Sequence, residues 1–374
     1  MSIHLHWFLP TSGDSRGIVG GGQGEPGGRT NVTRPPSVDY LGQVARTAEQ
    51  LGFEAVLTPT GTWCEDAWLT TAALTQQTTR LKFLVAFRPG LVSPTIAAQM
   101  AATYQRLSNG RLYLNVVTGG DSREQQRFGD WLSHDERYAR TDEFLAVVRG
   151  AWSGEPFDFS GEHYTVAGAT VLAPPDPIPQ VFFGGASLPA QRVAAKRVDT
   201  YLTWGEPPAA VVERLASVRA LAEAEGRQLT YGIRLHVISR DTEAEAWAQA
   251  QRLLDGLDPK HIAAAQEQFA KTESVGQHRM AALHNGSSTR LEVSPNLWAG
   301  YGLVRGGAGT ALVGSHEQVA ARIAEYHAIG LDHFILSGQP HIEEAYWFGE
   351  GVIPRLRAQG LLPDSAPARH LVAV

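Results

Sequence analysis

The segment from Tyr231 to Arg240, YGIRLHVISR, combines residue types that could bind or activate an anion. Its alternating apolar residues predict a β-strand, on which Arg234 and His236 point to the same side, about 7 Å apart. Burying a guanidinium beside an imidazole is costly unless both find partners, so the pair indicates an anion-binding site. A buried ion pair between this strand and a nearby carboxylate is the structural alternative.

A second arginine lies in a glycine-rich stretch further along the chain. Arg305 is flanked by glycines at positions 302, 306, 307 and 309. A segment of this kind can deliver a charge to a site when it becomes ordered around a ligand. A solvated loop charge is the alternative, and the expected proximity of Arg234 and His236 favours the binding interpretation.

Other chemistries find less support in the sequence. The chain has 13 histidines but no HExxH spacing, so we predict that His4 and His6 pack or form hydrogen bonds, and we predict no metal site. The single cysteine, Cys64, precedes Glu65 and Asp66, whose negative charges should raise the pKa of the thiol and disfavour a nucleophilic role. No GxGxxG motif opens a helix, so a bound nicotinamide dinucleotide is not indicated.

The segment FFGGAS combines a strand end with the start of a helix. It places Gly184 and Gly185 at the end of a predicted strand and Ser187 at the beginning of the next helix. Backbone N–H groups in such a turn can bind a phosphate, although an ordinary tight turn has the same sequence.

Strand-like and helix-like segments alternate along the chain. Predicted strands are Ile3 to Leu9, Ala55 to Leu57, Leu81 to Phe87, Leu112 to Val117, Gln180 to Phe183, Thr200 to Leu202, Tyr231 to Ile238 and His333 to Leu336. Predicted helices include Asp39 to Leu51, Ser93 to Leu107, Arg137 to Trp152, Pro208 to Glu225 and Glu317 to Ile329. Eight alternating units predict an α/β protein with a (β/α)8 TIM barrel, whose active site lies at the carboxyl ends of the strands.

Three insertions interrupt the minimal barrel repeat. Residues 13–37 include the glycine-rich run GGGQGEPGG at 20–28, for which we favour a mobile lid over a phosphate-binding loop. Residues 157–179 are typical of a small appended hairpin, and residues 241–310 contain helical segments followed by the stretch that carries Arg305.

Composition excludes several classes of protein. With 374 residues and 43% hydrophobic content the chain can form a sizeable core, and its net charge of -6 argues against nucleic-acid binding. No apolar run approaches the ~18 residues of a membrane span, and no signal peptide is recognisable at the amino terminus. A single cysteine favours the reducing cytoplasm.

Several long motifs resemble the alkanesulfonate monooxygenases, which belong to the bacterial luciferase-like flavin enzymes. These motifs occur in order from residue 3 to about residue 350, and they are WFLPTSGD at Trp7, CEDAW at Cys64, LKFLVAFRPG at Leu81, LSNGRLYLNVVTGGD at Leu107, YLTWGEPP at Tyr201, GIRLHVI at Gly232, MAALHNG at Met280, SPNLWAGYGLVRGGAGTALVG at Ser294 and SGQPHIEEAY at Ser337. The resemblance implies one luciferase-like barrel domain over residues 1–374.

The resemblance also implies an activity. Members of this family use O2 and reduced FMN (FMNH2), supplied by a separate NAD(P)H-dependent flavin reductase, to cleave the carbon–sulfur bond of a sulfonate and release sulfite and an aldehyde. They are commonly dimers or tetramers. A non-catalytic flavin-binding protein is the alternative of another class. The apolar end of the tail, residues 361–374, is consistent with docking on a neighbouring subunit.

Site residues follow from the matching motifs. Arg234 and Arg305 match the anion-binding arginines, His236 the candidate acid or base, and Cys64 the active-site cysteine. Trp204 matches the family's substrate-pocket tryptophan, and the further residues that we assign to substrate contacts are Trp7, Ser12 and Gln339. For FMN, the resemblance implies Asn115 and Thr118 near the ring and Tyr138, Gly184, Gly185 and Ser187 around the phosphate.

Departures from the family concern the substrate. Gln339 replaces the tyrosine of an SGYPH segment, Ser12 lies where the family has THGDG, and Thr62 and Trp63 replace an arginine–serine pair. A glutamine offers two donors and one acceptor suited to hydroxyl groups. We therefore favour a polar sulfosugar such as sulfoquinovose, which would yield 6-oxo-glucose, with a linear alkanesulfonate or methanesulfonate as the alternative.

Overall fold

The computed structural model of the protein describes residues 2–18 and 32–363. Its strands are β1 (His4–Phe8), β2 (Ala55–Thr58), β3 (Lys82–Phe87), β4 (Leu112–Val116), β5 (Phe157–Ser160), β6 (Thr165–Ala169), β7 (Val181–Gly184), β8 (Thr200–Trp204), β9 (Thr230–Arg240), β10 (Glu292–Ser294), β11 (Leu297–Trp298), β12 (Ala311–Ser315) and β13 (His333–Ser337). Its helices are α1 (Val38–Leu51), α2 (Ala67–Leu74), α3 (Pro94–Ser108), α4 (Ser122–Arg127), α5 (His134–Ala151), α6 (Leu188–Arg197), α7 (Pro208–Ala224), α8 (Glu243–Asp255), α9 (Pro259–Ala270), α10 (Val275–His284), α11 (His316–Ala328) and α12 (His341–Ala358). Two 3-10 turns cover Thr75–Gln77 and Gly300–Leu303.

Parallel strands close into a barrel in the order β1-β2-β3-β4-β7-β8-β9-β13, with β13 returning to β1. Each of the eight predicted strands overlaps one of these barrel strands, and each named helix prediction overlaps a helix. The predicted (β/α)8 architecture is therefore confirmed. Buried, β-branched and aromatic runs form the strands because both faces of a parallel sheet are covered.

The seventh barrel strand, β9, is longer than the sequence predicts. Its first half pairs with β8, whereas its second half pairs with β12, a strand that the sequence analysis did not anticipate. His236 is in register with both Ala311 of β12 and Ser337 of β13, so those two strands lie on opposite sides of β9. β12 therefore lies on the same side of β9 as β8 and pairs with the part of β9 that extends past the end of β8.

The insertions differ in form. Residues 157–179 contain the antiparallel hairpin β5–β6, as predicted. Residues 241–310 contain α8, α9 and α10 followed by β10 and β11, which extend the sheet from β12. The glycine-rich run at 20–28, to which the lid prediction refers, lies outside the described residues, as does most of the carboxyl-terminal tail.

The barrel interior is polar at the amino ends of its strands. Glu54 accepts hydrogen bonds from Lys82 at 2.9 Å and from Tyr113 at 2.6 Å, and its other oxygen lies 2.5 Å from His4 Nδ1. His6 Nε2 lies 3.0 Å from His333 Nδ1. The prediction that His4 and His6 pack or form hydrogen bonds is therefore confirmed.

An apolar layer lies above this polar network. It is formed by Phe8, Leu57, Leu84, Phe182, Leu202 and Ile335. Among the described residues, polar groups and apolar side chains together fill the barrel at the amino ends of its strands, which leaves the carboxyl ends for a ligand. No helix in residues 2–18 or 32–363 has the length and apolar content needed to cross a membrane.

Candidate active site

A cavity of about 1000 Å³, including the part open to solvent, lies at the carboxyl ends of β4, β7 and β8. Strand ends, the amino termini of α5 and α6 and the first turn of α10 form its walls. The structure brings the six predicted flavin contacts together there, and they are Asn115, Thr118, Tyr138, Gly184, Gly185 and Ser187. Trp204 and Arg234, two of the other predicted site residues, line the same cavity.

One end of the cavity is formed by the turn that enters α6. Ser187 caps this helix, because its side chain accepts a hydrogen bond from the backbone N–H of Ala190. Gly185 has no room for a side chain, since a Cβ there would lie 2.5 Å from Ala190 Cβ and 3.3 Å from the Tyr138 hydroxyl oxygen. Tyr201 holds the turn by donating to the Gly185 carbonyl oxygen at 2.6 Å. The helix amino terminus therefore faces the cavity.

Arg234 occupies the opposite part of the site, at the inner face of β9. Its guanidinium lies 4.8 Å above the ring centroid of Phe8. Nη2 donates to Ser337 Oγ at 2.7 Å, and Nη1 donates to the carbonyl oxygens of Leu235 and Ile335. Burial first, and then the positive charge of Arg305, lower the pKa of Arg234 to about 9. The hydrogen-bonding acceptors that the structure provides for Arg234 are thus neutral oxygens.

His236 is buried beside Arg234 and is neutral. Burial, together with the charges of Arg234 and Arg305, holds its pKa well below 6.5. Its Nδ1 lies 2.7 Å from Ser337 Oγ, and its Nε2 lies 3.2 Å from the carbonyl oxygen of Ala308. A carbonyl can only accept, so Nε2 carries the proton and Nδ1 accepts from the Ser337 hydroxyl.

Arg305 follows the 3-10 turn of Gly300–Leu303 and is buried. Its backbone N–H donates to the Tyr301 carbonyl oxygen at 2.9 Å. The Tyr301 ring stacks on the His236 ring with centroids 3.9 Å apart and an interplanar angle of 5°. The turn therefore brings Arg305 close enough for its charge to lower the pKa of both Arg234 and His236.

A family profile described as luciferase-like monooxygenase matches residues 3–333. The chain belongs to the luciferase-like monooxygenase family. Its match covers the barrel strands from β1 to the start of β13, and hence both the cavity and the arginine cluster.

Solved structures share the luciferase-like fold over nearly the full length of the chain. The EDTA monooxygenase from Chelativorans sp. BNC1 is 23% identical with a TM-score of 0.75, covering 98% of this chain and 96% of that one. DmoA from Hyphomicrobium sulfonivorans is 21% identical with a TM-score of 0.79, covering 98% and 90%. A riboflavin lyase, solved with a modified FMN and riboflavin, is 21% identical with a TM-score of 0.79, covering 98% and 94%. At these identities the likeness is one of fold.

Cys64 is not among the residues that line the cavity. Its Sγ contacts the carbonyl oxygens of Pro59 at 3.7 Å and Gly61 at 3.6 Å. Burial is the main cause that raises the pKa of the thiol to about 12, and Glu124 and Glu65 add to it. The predicted direction of the shift is confirmed, but burial outweighs the neighbouring charges.

The structure places the remaining predicted substrate contacts in different surroundings. Ser12 and Gln339 are buried at the carboxyl ends of β1 and β13, outside the cavity lining. The prediction for Trp7 is not supported, because alternation along β1 turns its side chain toward the helices, where its ring packs 5.1 Å from that of Phe53. Phe8 takes the inward position beside Arg234 instead.

Sequence reasoning missed two groups of this luciferase-like site. Ser337, which joins Arg234 to His236, was part of a recognised motif but carried no signal of its own. The acidic residue Glu206 lines the cavity and forms ion pairs with Arg214 and Arg279. The GEPP motif that contains Glu206 gave no indication of those partners, because Arg279 lies 73 residues away.

Proposed function

We propose that this protein is an FMNH2-dependent monooxygenase that cleaves the carbon–sulfur bond of an organosulfonate. The observation that carries the proposal is the buried pair of arginines at the carboxyl ends of the barrel strands. Arg234 is hydrogen-bonded to neutral oxygens, and the charge of Arg305 adds to the cost of keeping it protonated there. An anionic substrate offsets this cost, since its negative charge is attracted to the Arg234 guanidinium.

A sulfonate suits this arrangement better than a neutral substrate. It is a permanent anion with several acceptor oxygens, so it can accept hydrogen bonds from two guanidinium groups at once. The same groups remain in place as the sulfur leaves with its bonding electrons as sulfite. Arg234 and Arg305 would therefore bind the substrate and stabilise the leaving group.

We place reduced FMN in the cavity that Arg234 lines. Asn115 and Thr118 lie at the end where the ring would bind, and the amino terminus of α6 lies at the end suited to its phosphate. When bound, reduced FMN together with O2 supplies the oxidising chemistry. The partner that we propose is an NAD(P)H-dependent flavin reductase. The balanced reaction is RCH2SO3− + O2 + FMNH2 → RCHO + HSO3− + FMN + H2O.

His236 would act on the proton that the substrate carbon loses as the aldehyde forms. The Nδ1 atom of His236 is an acceptor and is reached through the Ser337 hydroxyl. A proton can move from the carbon to this pair without leaving the buried site. His236 is therefore proposed as a base, with Ser337 between it and the substrate.

For the substrate, we favour a polar sulfosugar such as sulfoquinovose. The departures from the family motifs at Gln339 and Ser12, at neighbouring strand ends, support this choice, because an amide and a hydroxyl are suited to hydrogen bonds with sugar hydroxyl groups. A linear alkanesulfonate or methanesulfonate is the second candidate, because Arg234, Arg305 and His236 suit the sulfonate group of either substrate equally.

The test is sulfite release from a panel of sulfonates, with reduced FMN generated by a flavin reductase in air. We expect sulfite from sulfoquinovose, and sulfite only from alkyl chains would replace the sugar by the second candidate. Arg305→Ala should reduce kcat/KM by about 100-fold or more while FMN still binds, because it removes a charge that contacts the anion. No sulfite from any sulfonate, with FMN bound, would contradict the proposed reaction and favour a flavin-binding protein.

A further inference from the structure

We propose that Arg214 of α7 is a phosphate-binding residue, which together with the amino terminus of α6 holds the phosphate of the bound flavin. The inference rests on the proposed use of FMN and assigns a ligand to a charge cluster that neither the motifs nor the family match explains. It concerns the end of the cavity remote from Arg234.

Arg214 is placed inside the cavity wall rather than on the outer surface of its helix. The residue lines the cavity and is only 8% exposed. Its Nη2 donates to Glu206 Oε2 at 2.6 Å. Its Nε is buried and has no hydrogen-bond partner among the described residues. A buried guanidinium with an unused donor is an incomplete arrangement, which a ligand with several acceptor oxygens would complete.

The charges around Arg214 leave the wall positive. The other oxygen of Glu206, Oε1, accepts from Arg279 Nε at 2.7 Å. One carboxylate is thus shared between two guanidinium groups, and the three side chains carry a net charge of about +1. Glu206 therefore fixes the orientation of Arg214 without cancelling the attraction of the cluster for a doubly charged anion.

The charge cluster is adjacent to the turn that enters α6. Burial raises the pKa of Tyr201 to about 12, against the opposing effect of the nearby Arg214 guanidinium. The same Tyr201 hydroxyl donates to the Gly185 carbonyl oxygen. Tyr201 thus connects Arg214 to the turn of Gly185 and Ser187, both of which line the cavity.

Two independent sources of positive potential therefore meet at one end of the cavity. The α6 helix presents the positive end of its dipole, although Pro189 has no N–H and the Ala190 N–H is already bonded to Ser187, and Arg214 presents a charged donor. A phosphate monoester carries a charge near -2 and has three terminal oxygens, which matches both sources. A sulfonate would be drawn to the arginine pair at the other end, where the reacting groups lie.

The experiment compares FMN with riboflavin, which lacks the phosphate. Dissociation constants of both flavins in their reduced forms are measured without oxygen, by titration of the protein's tryptophan fluorescence, for the wild-type protein, Arg214→Gln and Arg214→Lys. Arg219→Gln is the matched control, because Arg219 is on the same helix but is exposed and lies over the Tyr231 ring. We expect Arg214→Gln to weaken FMN binding by about 10- to 100-fold, as for loss of a hydrogen bond to a charged group, and to leave riboflavin binding within about twofold.

The outcomes separate this inference from the proposed function. Partial recovery of FMN binding in Arg214→Lys, with Arg219→Gln unchanged, would support a charge–phosphate contact. If Arg214→Gln still prefers FMN as the wild-type protein does, Arg214 does not bind the phosphate. An equal loss of affinity for both flavins would also contradict this role, because it would indicate a collapsed cavity. A wild-type protein that binds neither flavin would overturn the proposed function and the subsite together.

Discussion

Ser337 connects the side chains of Arg234 and His236 through hydrogen bonds. Its oxygen accepts from Arg234 and its single hydrogen is directed to His236 Nδ1. These two hydrogen bonds fix the orientation of the Arg234 guanidinium and select the tautomer of His236 that carries its proton on Nε2. A hydroxyl at position 337 is therefore needed to present His236 as a base, although Ser337 need not contact the flavin.

Replacing Ser337 by alanine should separate Arg234 from His236. We expect kcat/KM for the sulfonate to fall by about 10-fold or more, because one charge-assisted hydrogen bond and the route to His236 Nδ1 are lost. Steady-state kinetics from pH 6 to 9 measure the effect. Ser337→Thr, which keeps the hydroxyl, should recover part of the activity, and equal activity of the alanine variant would contradict the bridging role.

Cys64 should be unreactive in the folded protein. With a thiol pKa of about 12, caused chiefly by burial, the thiolate fraction at pH 8 is only about 1 in 10,000. Alkylation by iodoacetamide should therefore be far slower than in urea, as followed by mass spectrometry of the intact chain. Rapid labelling of the native protein at pH 8 would show that the thiol is more exposed or more acidic than this.

At the level of elements, α10 joins the two parts of the active site. Its first turn lines the cavity, where Gly276 packs so closely on Trp204 that a Cβ would lie 2.9 Å from the indole ring. From the next position, Gln277 Oε1 accepts a hydrogen bond from the backbone N–H of Gly307 at 2.9 Å. Gly307 is two residues from Arg305, so the inserted helix holds the segment that carries this arginine.

Gln277 is therefore expected to be a positioning residue for Arg305. Gln277→Leu removes the acceptor for the Gly307 N–H and should raise the KM for the sulfonate by about 10-fold, as for loss of a buried hydrogen bond. Gln277→Glu keeps an acceptor oxygen and should retain more of the activity. If both variants have the wild-type KM, the segment is held by other contacts.

For the whole molecule, the buried histidines couple folding to pH. Burial is the largest cause that lowers the pKa of His6 to about 4 and of His333 to about 2, and it also keeps His236 neutral. In the unfolded chain a histidine titrates near 6.5. As the pH falls below about 6.5, the unfolded state binds these protons first, so stability is complete above that pH and is lost toward pH 4.

The free energy of unfolding should accordingly decrease in mild acid. Each such histidine contributes a loss of up to about 1.4 kcal/mol for each pH unit below 6.5. Urea unfolding at pH 7.5 and pH 5.5 measures the change, and His6→Gln should show a smaller difference between the two conditions. Equal stability of the wild-type protein at both pH values would mean that these histidines are protonated in the folded state.

The sequence by itself determined the barrel. Hydrophobic runs, capping residues such as Ser93 and the alternation of strands with helices are local signals, and they located the eight barrel strands and five of the helices. Alternation along β9 also placed Arg234 and His236 on one inner face. Motifs of the luciferase-like family then indicated six cavity residues, because such motifs report backbone turns and small residues at strand ends.

Only the tertiary structure decided which distant groups meet. Strand register brings Ser337 opposite His236, an insertion of helices brings Gln277 to Gly307, and a turn after β8 brings Glu206 to Arg214 and Arg279. The motif that named Trp7 as a substrate contact also gave no sign that Phe8 is the neighbour that faces Arg234, while the Trp7 ring packs against Phe53. Local patterns specify elements, whereas these contacts depend on register and on closure of the barrel, which no single segment encodes.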